Sequence, residues 1–398
     1  MVIRSIENIQ VSGKRVIVRV DFNVPMDSSG SITDDTRMVA SLPTLRTIVG
    51  AGGVAVVMSH LGRPKGEPNL RYSLRPVAEH LATLIDVPVA FVPSCIGPEA
   101  EEATRNASAG SIIVLENLRF HAEEETNDEA FAASLARLGD VYCNDAFGTA
   151  HRAHASTAGI ARHFSERCCG FLMRKELDYL GSALESPKPP LVAVLGGSKI
   201  SGKIDVIKVL LGKCQAILIG GGMMFTFLKA KGLNVGNSLV EADRLDLAAE
   251  LLAQAERSGV QLQLPIDAIV ADKFANDART AIVSIDDIPS DMMGLDIGPR
   301  TSELFASIIG NAGTVLWNGP MGVFEMPSFE SGTRAVAAAM AHATEAGAVT
   351  VVGGGDSAAA IVQFGYHTGV THVSTGGGAS LEFLEGRVLP GVAALEVS

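Results

Sequence analysis

Short runs of apolar, largely β-branched residues recur along the whole chain. They lie at 15–20, 54–58, 112–115, 141–144, 191–195, 216–219, 314–317, 350–352 and 372–374. Runs without polar alternation are typical of strands that are buried on both faces of a sheet. The segments between them, among them 75–85, 128–138, 245–257 and 333–344, have the Ala and Leu content and the apolar spacing of covering helices. This alternation predicts an α/β fold with mostly parallel sheets.

The residues that follow these strands differ between the two halves of the chain. In the first half they are polar side chains, as in Asp21-Phe22-Asn23 and His60-Leu61-Gly62-Arg63. In the second half they are glycines, at 196–197, 220–222, 319, 353–355 and 376–378. Ligands of open α/β sheets bind beyond the carboxyl ends of the strands. Each half is therefore predicted to carry its own binding edge.

The basic residues divide at the same place. The first 170 residues hold 14 of the 21 arginines but only 2 of the 11 lysines. The planar guanidinium fork suits bidentate capture of carboxylate or phosphate, whereas lysine acts as a point charge. Four arginines and three histidines lie in or near the turns after predicted strands: Arg37, Arg63, Arg119, Arg152, His60, His151 and His154. Jointly they predict a receptor for a small, highly anionic substrate.

The overall charge excludes several classes of partner. The 44 acidic and 32 basic residues give a net charge of −12, which argues against binding to nucleic acid or to an anionic membrane surface. No apolar run approaches the roughly 18 residues that a membrane helix needs. Arg4 and Glu7 stand where a signal peptide would be continuously apolar. We expect a cytoplasmic protein that binds its anionic ligands locally.

Glycine turns in the second half favour a nucleotide phosphate chain, because they let phosphate approach free N–H groups at helix N-termini. The segment 197–204 almost matches a phosphate-binding loop, but Ile204 stands where Ser or Thr should ligate Mg²⁺. If a helix begins here, Lys199 and Lys203 share one face. Asp356, at a predicted helix start, is the candidate Mg²⁺ ligand and also a candidate helix N-cap.

Two functions other than phosphoryl transfer are alternatives for a nucleotide-binding α/β chain. No Gly-x-Gly-x-x-Gly occurs in the chain, which argues against a dinucleotide-dependent dehydrogenase. A catalytically silent nucleotide-binding scaffold of the same fold is the second alternative. No nucleophile elbow or paired carboxylate stands out, and phosphoryl transfer to an anionic acceptor needs positioning and charge compensation without a general base.

Ten motifs spread over nearly the whole chain carry a resemblance to one family. They include RVDFNVP (19–25), SHLGRP (59–64), ENLRF (116–120), NDAFGTAHRAH (144–154), LGGSK (195–199), WNGPMGVFE (317–325) and GGGD (353–356). With 35–37, 220–223 and 374–379, they resemble the phosphoglycerate kinases. This resemblance implies two Rossmann-like lobes, each a mostly parallel sheet flanked by helices, that face each other across a cleft.

The resemblance also implies a domain plan and a reaction. Residues 1–170 would form the phosphoglycerate-binding lobe, 171–190 an interdomain helix and hinge, 191–374 the nucleotide-binding lobe, and 375–398 a segment returning to the first lobe. The enzyme would be a phosphotransferase with a carboxyl group as acceptor. It would move the acyl phosphate of 1,3-bisphosphoglycerate reversibly to MgADP, giving 3-phosphoglycerate and MgATP in glycolysis. A monomer is expected.

Residue roles carry over from the resemblance position by position. The implied substrate-binding residues are Asp21, Asn23, Arg37, His60, Leu61, Gly62, Arg63, Arg119 and Arg152. The implied nucleotide-binding residues are Gly197, Lys203, Gly221, Asn318, Glu325, Gly354, Gly355, Asp356 and Ser357. Arg37, Lys199, Gly354 and Gly377 form the implied catalytic set, and Asp356 would ligate Mg²⁺. Ser357 stands where threonine is common in the family, and the hydroxyl is retained.

Overall fold

The computed structural model describes residues 3–396, which form two compact units. The first unit extends to Asp178 and includes the segment that begins at Val388, and the second is Tyr179–Arg387. A helix at Phe171–Glu185 crosses the boundary at Asp178. The boundaries at 170, 190 and 374, and the hinge at 171–190, stay predictions.

The first unit is built on one parallel six-stranded sheet. Its strands are β1 (Arg15–Arg19), β2 (Val54–Met58), β3 (Val89–Val92), β4 (Ile112–Leu115), β5 (Val141–Asn144) and β6 (Arg167–Cys169). Their order across the sheet is β3-β4-β2-β1-β5-β6. The helices are α1 (Thr36–Gly50), α2 (Arg75–Leu84), α3 (Pro98–Arg105), α4 (Ala122–Glu125) and α5 (Glu129–Ala136). The helix that crosses the boundary, Phe171–Glu185, is α6. A short helix near the end of the chain, Pro390–Ala393, also belongs to the first unit.

The centre of this sheet is buried on both faces, as the apolar runs predict. β2 is buried at every position and β1 at all but its first. Val16 and Val18 of β1 share a core with Leu42 and Leu45 of α1. Polar side chains are therefore excluded from the central strands and collect at their ends.

The C-terminal segment is held to this unit by a backbone contact, since the Gly391 amide donates to the Ala150 carbonyl at 2.8 Å.

The second unit repeats this plan with a second parallel six-stranded sheet. Its strands are β7 (Leu191–Leu195), β8 (Ala216–Ile219), β9 (Gln261–Gln263), β13 (Thr314–Asn318), β14 (Val349–Gly353) and β15 (His372–Val373), in the order β15-β14-β13-β7-β8-β9. A smaller antiparallel sheet of β10 (Asp267–Ala271), β11 (Thr280–Ser284) and β12 (Met293–Ile297) has the order β11-β10-β12. The predicted α/β class, with mostly parallel sheets flanked by helices, is confirmed.

The helices of the second unit surround these sheets. They are α7 (Ile204–Leu210), α8 (Met223–Ala230), α9 (Leu245–Ser258), α10 (Pro299–Gly310), α11 (Ser331–Glu345), α12 (Gly355–Gln363) and α13 (Gly378–Leu384), and Pro390–Ala393 is α14. No helix within residues 3–396 is long and apolar enough to cross a membrane.

All nine predicted strands are present, but six others were missed. β3 was missed although its four residues are all apolar; it is a sheet-edge strand of mixed exposure, as is β9, which has a single apolar residue. β11 is also an edge strand, and its five residues are all at least partly exposed. β10 and β12 are mostly buried, but Asp267 at the start of β10 and Gly294 and Asp296 within β12 shorten their apolar runs.

Asp356 lies at a helix start as predicted, but the shared helical face of Lys199 and Lys203 and the N-cap role of Asp356 are not found. α7 begins at Ile204, so Lys199 lies in the turn before the helix and Lys203 is its N-cap residue. The two lysines do not share a helical face. Asp356 lies in the first turn of α12, and Gly354, with φ of +85°, occupies the N-cap position. Glycine adopts this left-handed backbone without the steric cost of a Cβ atom.

Truncating the core beneath α1 tests this packing. Leu45→Ala removes a fully buried side chain and should lower the free energy of unfolding by about 2–5 kcal/mol. Val39→Ala on the same helix, where the side chain is 47% exposed, should change it by less than about 0.5 kcal/mol. Urea unfolding followed by circular dichroism measures both, and equal losses for the two variants would contradict the core assignment.

Candidate active-site residues

The first unit gathers its predicted site residues at one edge of its sheet. Asp21 and Asn23 follow β1, and His60 follows β2. Arg119 lies in a short 3-10 helix, Leu118–Phe120, after β4. Arg152 follows β5, and Arg37 lies in the first turn of α1. Because β1, β2, β4 and β5 are parallel, their carboxyl ends bring these residues to the same edge.

Ionic and amide contacts order the loop after β1. Arg37 Nη1 lies 2.7 Å from Asp21 Oδ2, and the Asp21 side chain is mostly buried. Asn23 Oδ1 accepts a hydrogen bond from the Gly62 amide at 2.9 Å. The first contact joins the loop to α1 and the second joins it to the loop after β2. Both predicted side chains are therefore held in defined positions.

His60 lies within a cluster of guanidinium groups. Its side chain is buried, and burial is the main cause that holds the pKa of its imidazole well below the ordinary value. Positive charges lower this pKa further, and they come from Arg19, Arg119, Arg152 and Arg37. Such a cluster attracts a polyanion, because like charges repel one another until a ligand compensates them.

Two further predicted residues, Leu61 and Gly62, serve the loop itself. The Gly62 carbonyl accepts from Arg119 Nη1 at 2.9 Å, and the Leu61 carbonyl accepts from Asn117 Nδ2 at 2.8 Å. Arg119 is buried, and burial lowers the pKa of its guanidinium, an effect that Glu125 at 3.1 Å opposes. Arg63, by contrast, is exposed. The structure thus brings Arg119 into the cluster and leaves Arg63 in solvent.

One residue of this cluster was not assigned from the sequence. Arg19, the last residue of β1, is only 1% exposed and donates through Nη2 toward His60 Nδ1 at 3.2 Å. A charged residue at the end of an apolar strand was the available signal, because arginine is rarely buried without partners. Its partners come from distant parts of the chain, which the sequence does not reveal.

In the second unit, the predicted phosphate-binding residues line one cavity of about 300 Å³, here called the glycine cavity. Of the predicted residues it brings together Gly197, Lys199, Lys203, Asn318, Gly354, Gly355, Asp356, Ser357 and Gly377. They come from the ends of β7, β13, β14 and β15. Helix α12 begins at its wall, and its first N–H groups lack intrahelical partners. The cavity is therefore suited to an anion.

Lys203 and Asn318 form the polar centre of the glycine cavity. Lys203 Nζ donates to Asn318 Oδ1. Burial lowers the pKa of Lys203 to about 8, and Asp356 and Glu385 partly oppose this shift. Asn318 is buried, and its Nδ2 has no hydrogen-bond partner within the described residues. A ligand with acceptor oxygens would satisfy that amide and stabilise the charged form of the lysine.

Ser357 contributes a hydroxyl beneath the same cavity. It is fully buried, and its Oγ accepts from the Gly319 amide at 2.6 Å. The hydroxyl hydrogen stays available to an acceptor, because accepting a bond does not use the O–H donor. Serine in place of threonine therefore keeps the donor.

A second cavity of about 510 Å³, here called the apolar cavity, adjoins the first. The two share Gly197, Ser198 and Asp356. Predicted residues Gly221 and Glu325 line it, together with a set of apolar side chains that the sequence did not indicate: Met224, Phe225, Leu239, Phe274, Met293, Leu295 and Val323. A flat apolar group and an anionic group joined to it would fit the two cavities as one ligand.

Most of the apolar set was missed because it is assembled only in space. Met293 and Leu295 belong to β12 of the antiparallel sheet, whereas Leu239 and Phe274 come from two separate loops. Phe225 is buried, and it also lines the apolar cavity. No spacing pattern in the chain connects these positions.

Gly221 gives a direct test of the junction between the cavities. Its φ is +66°, and a Cβ atom there would lie 2.5 Å from the Gly197 amide nitrogen. Gly232 has a φ of +84° with nothing within 4 Å of such an atom, so Gly232→Ala should cost only the left-handed strain, about 1–2 kcal/mol. We expect Gly221→Ala to lower the free energy of unfolding by more than that. Chemical denaturation compares them, and equal costs would mean that the contact is unimportant.

Comparisons with known proteins agree with this architecture. The family model described as "Phosphoglycerate kinase" matches residues 6–387. The chain is 56% identical over 392 residues to the phosphoglycerate kinase of Chloroherpeton thalassium, covering 98% of each chain. It is 57% identical over 395 residues to that of Chloroflexus aurantiacus, covering 99% of this chain and 98% of the relative.

A solved structure extends the likeness to three dimensions. The phosphoglycerate kinase of Coxiella burnetii superposes with a TM-score of 0.90 at 42% sequence identity, covering 99% of each chain. The family match and the sequence relatives span both units and both candidate sites. The chain therefore belongs to the phosphoglycerate kinase family, as its sequence motifs predict.

Proposed function

We propose that the chain transfers the acyl phosphate of 1,3-bisphosphoglycerate reversibly to MgADP, giving 3-phosphoglycerate and MgATP. Family membership makes it a kinase that acts on a carboxyl group, with ATP and ADP as nucleotide substrates. The observation that carries the proposal is the glycine cavity, where two lysines, an unpaired amide donor and a helix start meet. A cytoplasmic, monomeric enzyme of glycolysis is part of the same proposal.

The first unit would hold the phosphoglycerate. A substrate with a phosphate and a carboxylate suits the guanidinium cluster around His60. Arg63, Arg119 and Arg152 would grip the phosphate that is not transferred. Asp21 and Asn23 would orient the glycerate. Arg37 would approach the migrating phosphoryl group through N–H donors that its contact with Asp21 does not use.

The second unit would hold the nucleotide across its two adjoining cavities. The base fits the apolar cavity, and Glu325 at its rim would accept from the ribose hydroxyls. The phosphates would then lie in the glycine cavity, where Lys203, Asn318 Nδ2 and the Ser357 hydroxyl offer charge and donors. Lys199 is exposed, so its flexible side chain can follow the transferring group.

Magnesium fits this donor set with Asp356 as its protein ligand. The described residues contain no group of three or more metal-ligating side chains, so the chain alone does not build a closed metal site. Asp356 lines both cavities, and Mg²⁺ commonly binds one or two carboxylates together with phosphate oxygens and water. When bound, the ion would neutralise phosphate charge.

The chemistry needs alignment and charge compensation. The attacking oxygen is already anionic, and the transition state spreads charge over the equatorial oxygens. Arg37, Lys199 and the N–H groups near Gly354 and Gly377 would compensate that charge. The two substrates must meet in line, and segment 171–190 is our proposed hinge for that movement. The dehydrogenase and silent-scaffold alternatives are not favoured by the family assignment.

A coupled assay of 3-phosphoglycerate phosphorylation by MgATP tests the function. Turnover should require Mg²⁺ and should fall by about 10²–10³ in kcat for both Lys199→Ala and Arg37→Ala, as for loss of one transition-state donor. Arg46→Ala, an exposed change on the same helix as Arg37, and Lys208→Ala, an exposed change on α7, serve as matched controls. A folded protein that binds MgATP without turnover would instead support the scaffold.

The pKa of Lys203 predicts that nucleotide binding takes up protons. In the free protein this pKa is about 8, so the lysine loses its charge as the pH rises above that value. Bound phosphates favour the charged form and raise the pKa. ADP affinity should therefore fall between pH 7 and 9, with proton uptake near pH 8.5.

Calorimetry in buffers of different ionisation enthalpy measures that uptake. Lys203→Arg should abolish it, because arginine stays charged over this range, whereas Lys208→Arg should leave it unchanged. Undiminished uptake in Lys203→Arg would assign the proton to another group.

A further inference from the structure

Arg19 lies behind His60 and is held by three contacts. Its Nη2 lies 3.2 Å from His60 Nδ1, its Nη1 donates to the Val20 carbonyl, and its Nε donates to Ser156 Oγ at 2.9 Å. With 1% of its surface exposed, it is among the largest fully buried side chains of the chain. These contacts leave the guanidinium little freedom to rotate.

Ser156 connects Arg19 to a buried carboxylate. Its Oγ donates to Glu124 Oε1 at 2.5 Å, and its amide donates to Glu124 Oε2 at 2.9 Å. The Ser156 carbonyl in turn accepts from the Tyr142 hydroxyl at 2.8 Å. Burial raises the pKa of the Glu124 carboxyl, and Arg19 and the hydrogen bonds from Ser156 oppose this shift, so the carboxylate and the guanidinium stabilise each other's charged form. The relay Glu124–Ser156–Arg19 therefore has partners at every step.

The contact between Arg19 and His60 decides where the imidazole proton lies. A guanidinium has five N–H donors and no acceptor. His60 Nδ1 must therefore accept, which places the proton of the neutral ring on Nε2. A second proton on Nδ1 would point at the Arg19 N–H group, so the imidazolium form is disfavoured.

We propose that Arg19 is a positioning residue that locks His60 as the neutral Nε2–H tautomer, making His60 a fixed hydrogen-bond donor to the substrate. This rests on the proposed function of the first unit as the phosphoglycerate site. His60 then takes no part in proton transfer, and its N–H is aimed before the substrate arrives. Arg19 acts through His60 and does not itself contact the substrate.

The charged surroundings of His60 support the same state. The groups that face it are Arg19, Asp21, Arg37, Arg119 and Arg152. Four of the five are cations, and the Asp21 carboxylate is 3.9 Å from Nδ1, beyond hydrogen-bond reach. Together with burial, these charges hold the pKa of His60 well below its ordinary value.

Nitrogen-15 NMR of the full-length protein tests the proposal directly. The His60 signals, assigned by comparison with His60→Gln, should show a protonated Nε2 and a bare Nδ1 that do not titrate between pH 5.5 and 8. A protonated Nδ1 in the wild-type protein, or titration near pH 6.5, would overturn the proposal. This measurement uses the free protein, so its outcome is independent of whether the kinase function holds.

Variants of the relay provide the second test. Arg19→Lys keeps the charge but cannot reach His60, Ser156 and the Val20 carbonyl together, so His60 should sample both tautomers and begin to titrate. At pH 8 the KM for 3-phosphoglycerate should rise about tenfold, with the KM for MgATP within twofold. Ser156→Ala removes one acceptor of Arg19 with little change in volume, and it should shift His60 in the same direction.

The matched control is Arg15→Lys on the same strand. Arg15 pairs with Asp140 at 2.8 Å at the other end of β1, so the substitution should leave the His60 signals and both KM values unchanged. An unaltered His60 tautomer in both Arg19→Lys and Ser156→Ala would refute the positioning role. Equal effects of Arg15→Lys and Arg19→Lys would mean that the Arg19 substitution acts through the general stability of β1 and not through His60.

Discussion

Both units depend on central strands that are buried on both faces. Such strands have no room for polar side chains, because a buried polar group without a partner costs free energy. In this chain the polar residues and glycines therefore collect where the strands end, at one edge of each parallel sheet. The fold gathers in each unit a set of groups that the sequence distributes over more than a hundred residues. Binding at these edges follows from the way the sheets are covered.

A chain with a net charge of −12 must bind polyanions through local fields. In the first unit the field comes from guanidinium groups, which together with burial hold the pKa of His60 well below its ordinary value. In the second it comes from two lysines, a helix start and an amide that has no partner among residues 3–396. This division between arginines in the first unit and lysines in the second matches the proposed ligands. A rigid arginine fork suits a substrate that stays in place, whereas a flexible lysine suits a phosphoryl group that moves.

The buried relay Glu124–Ser156–Arg19 shows how residues that do not contact the ligand can position one that does. Arg19 lies one step further from the proposed ligand than the residues assigned from the sequence, yet it determines which hydrogen-bonding role His60 can have. Glu124 and Ser156 stabilise the buried guanidinium of Arg19, because Ser156 accepts from Arg19 Nε and donates to the Glu124 carboxylate. Electrostatic preorganisation of this kind avoids reorganisation when the substrate binds.

The sequence by itself determined the nine buried strands, the polar and glycine-rich ends of the two sheets, and the family. It could do so because continuous apolar runs and glycine turns are local signals. Only the tertiary structure decided that Lys199 and Lys203 lie in the turn before α7, where Lys203 contacts Asn318 at the end of β13. The apolar cavity and the contact of Arg19 with His60 also arose only there. These features join residues from separate loops and strands, and such contacts leave no periodic mark in the chain.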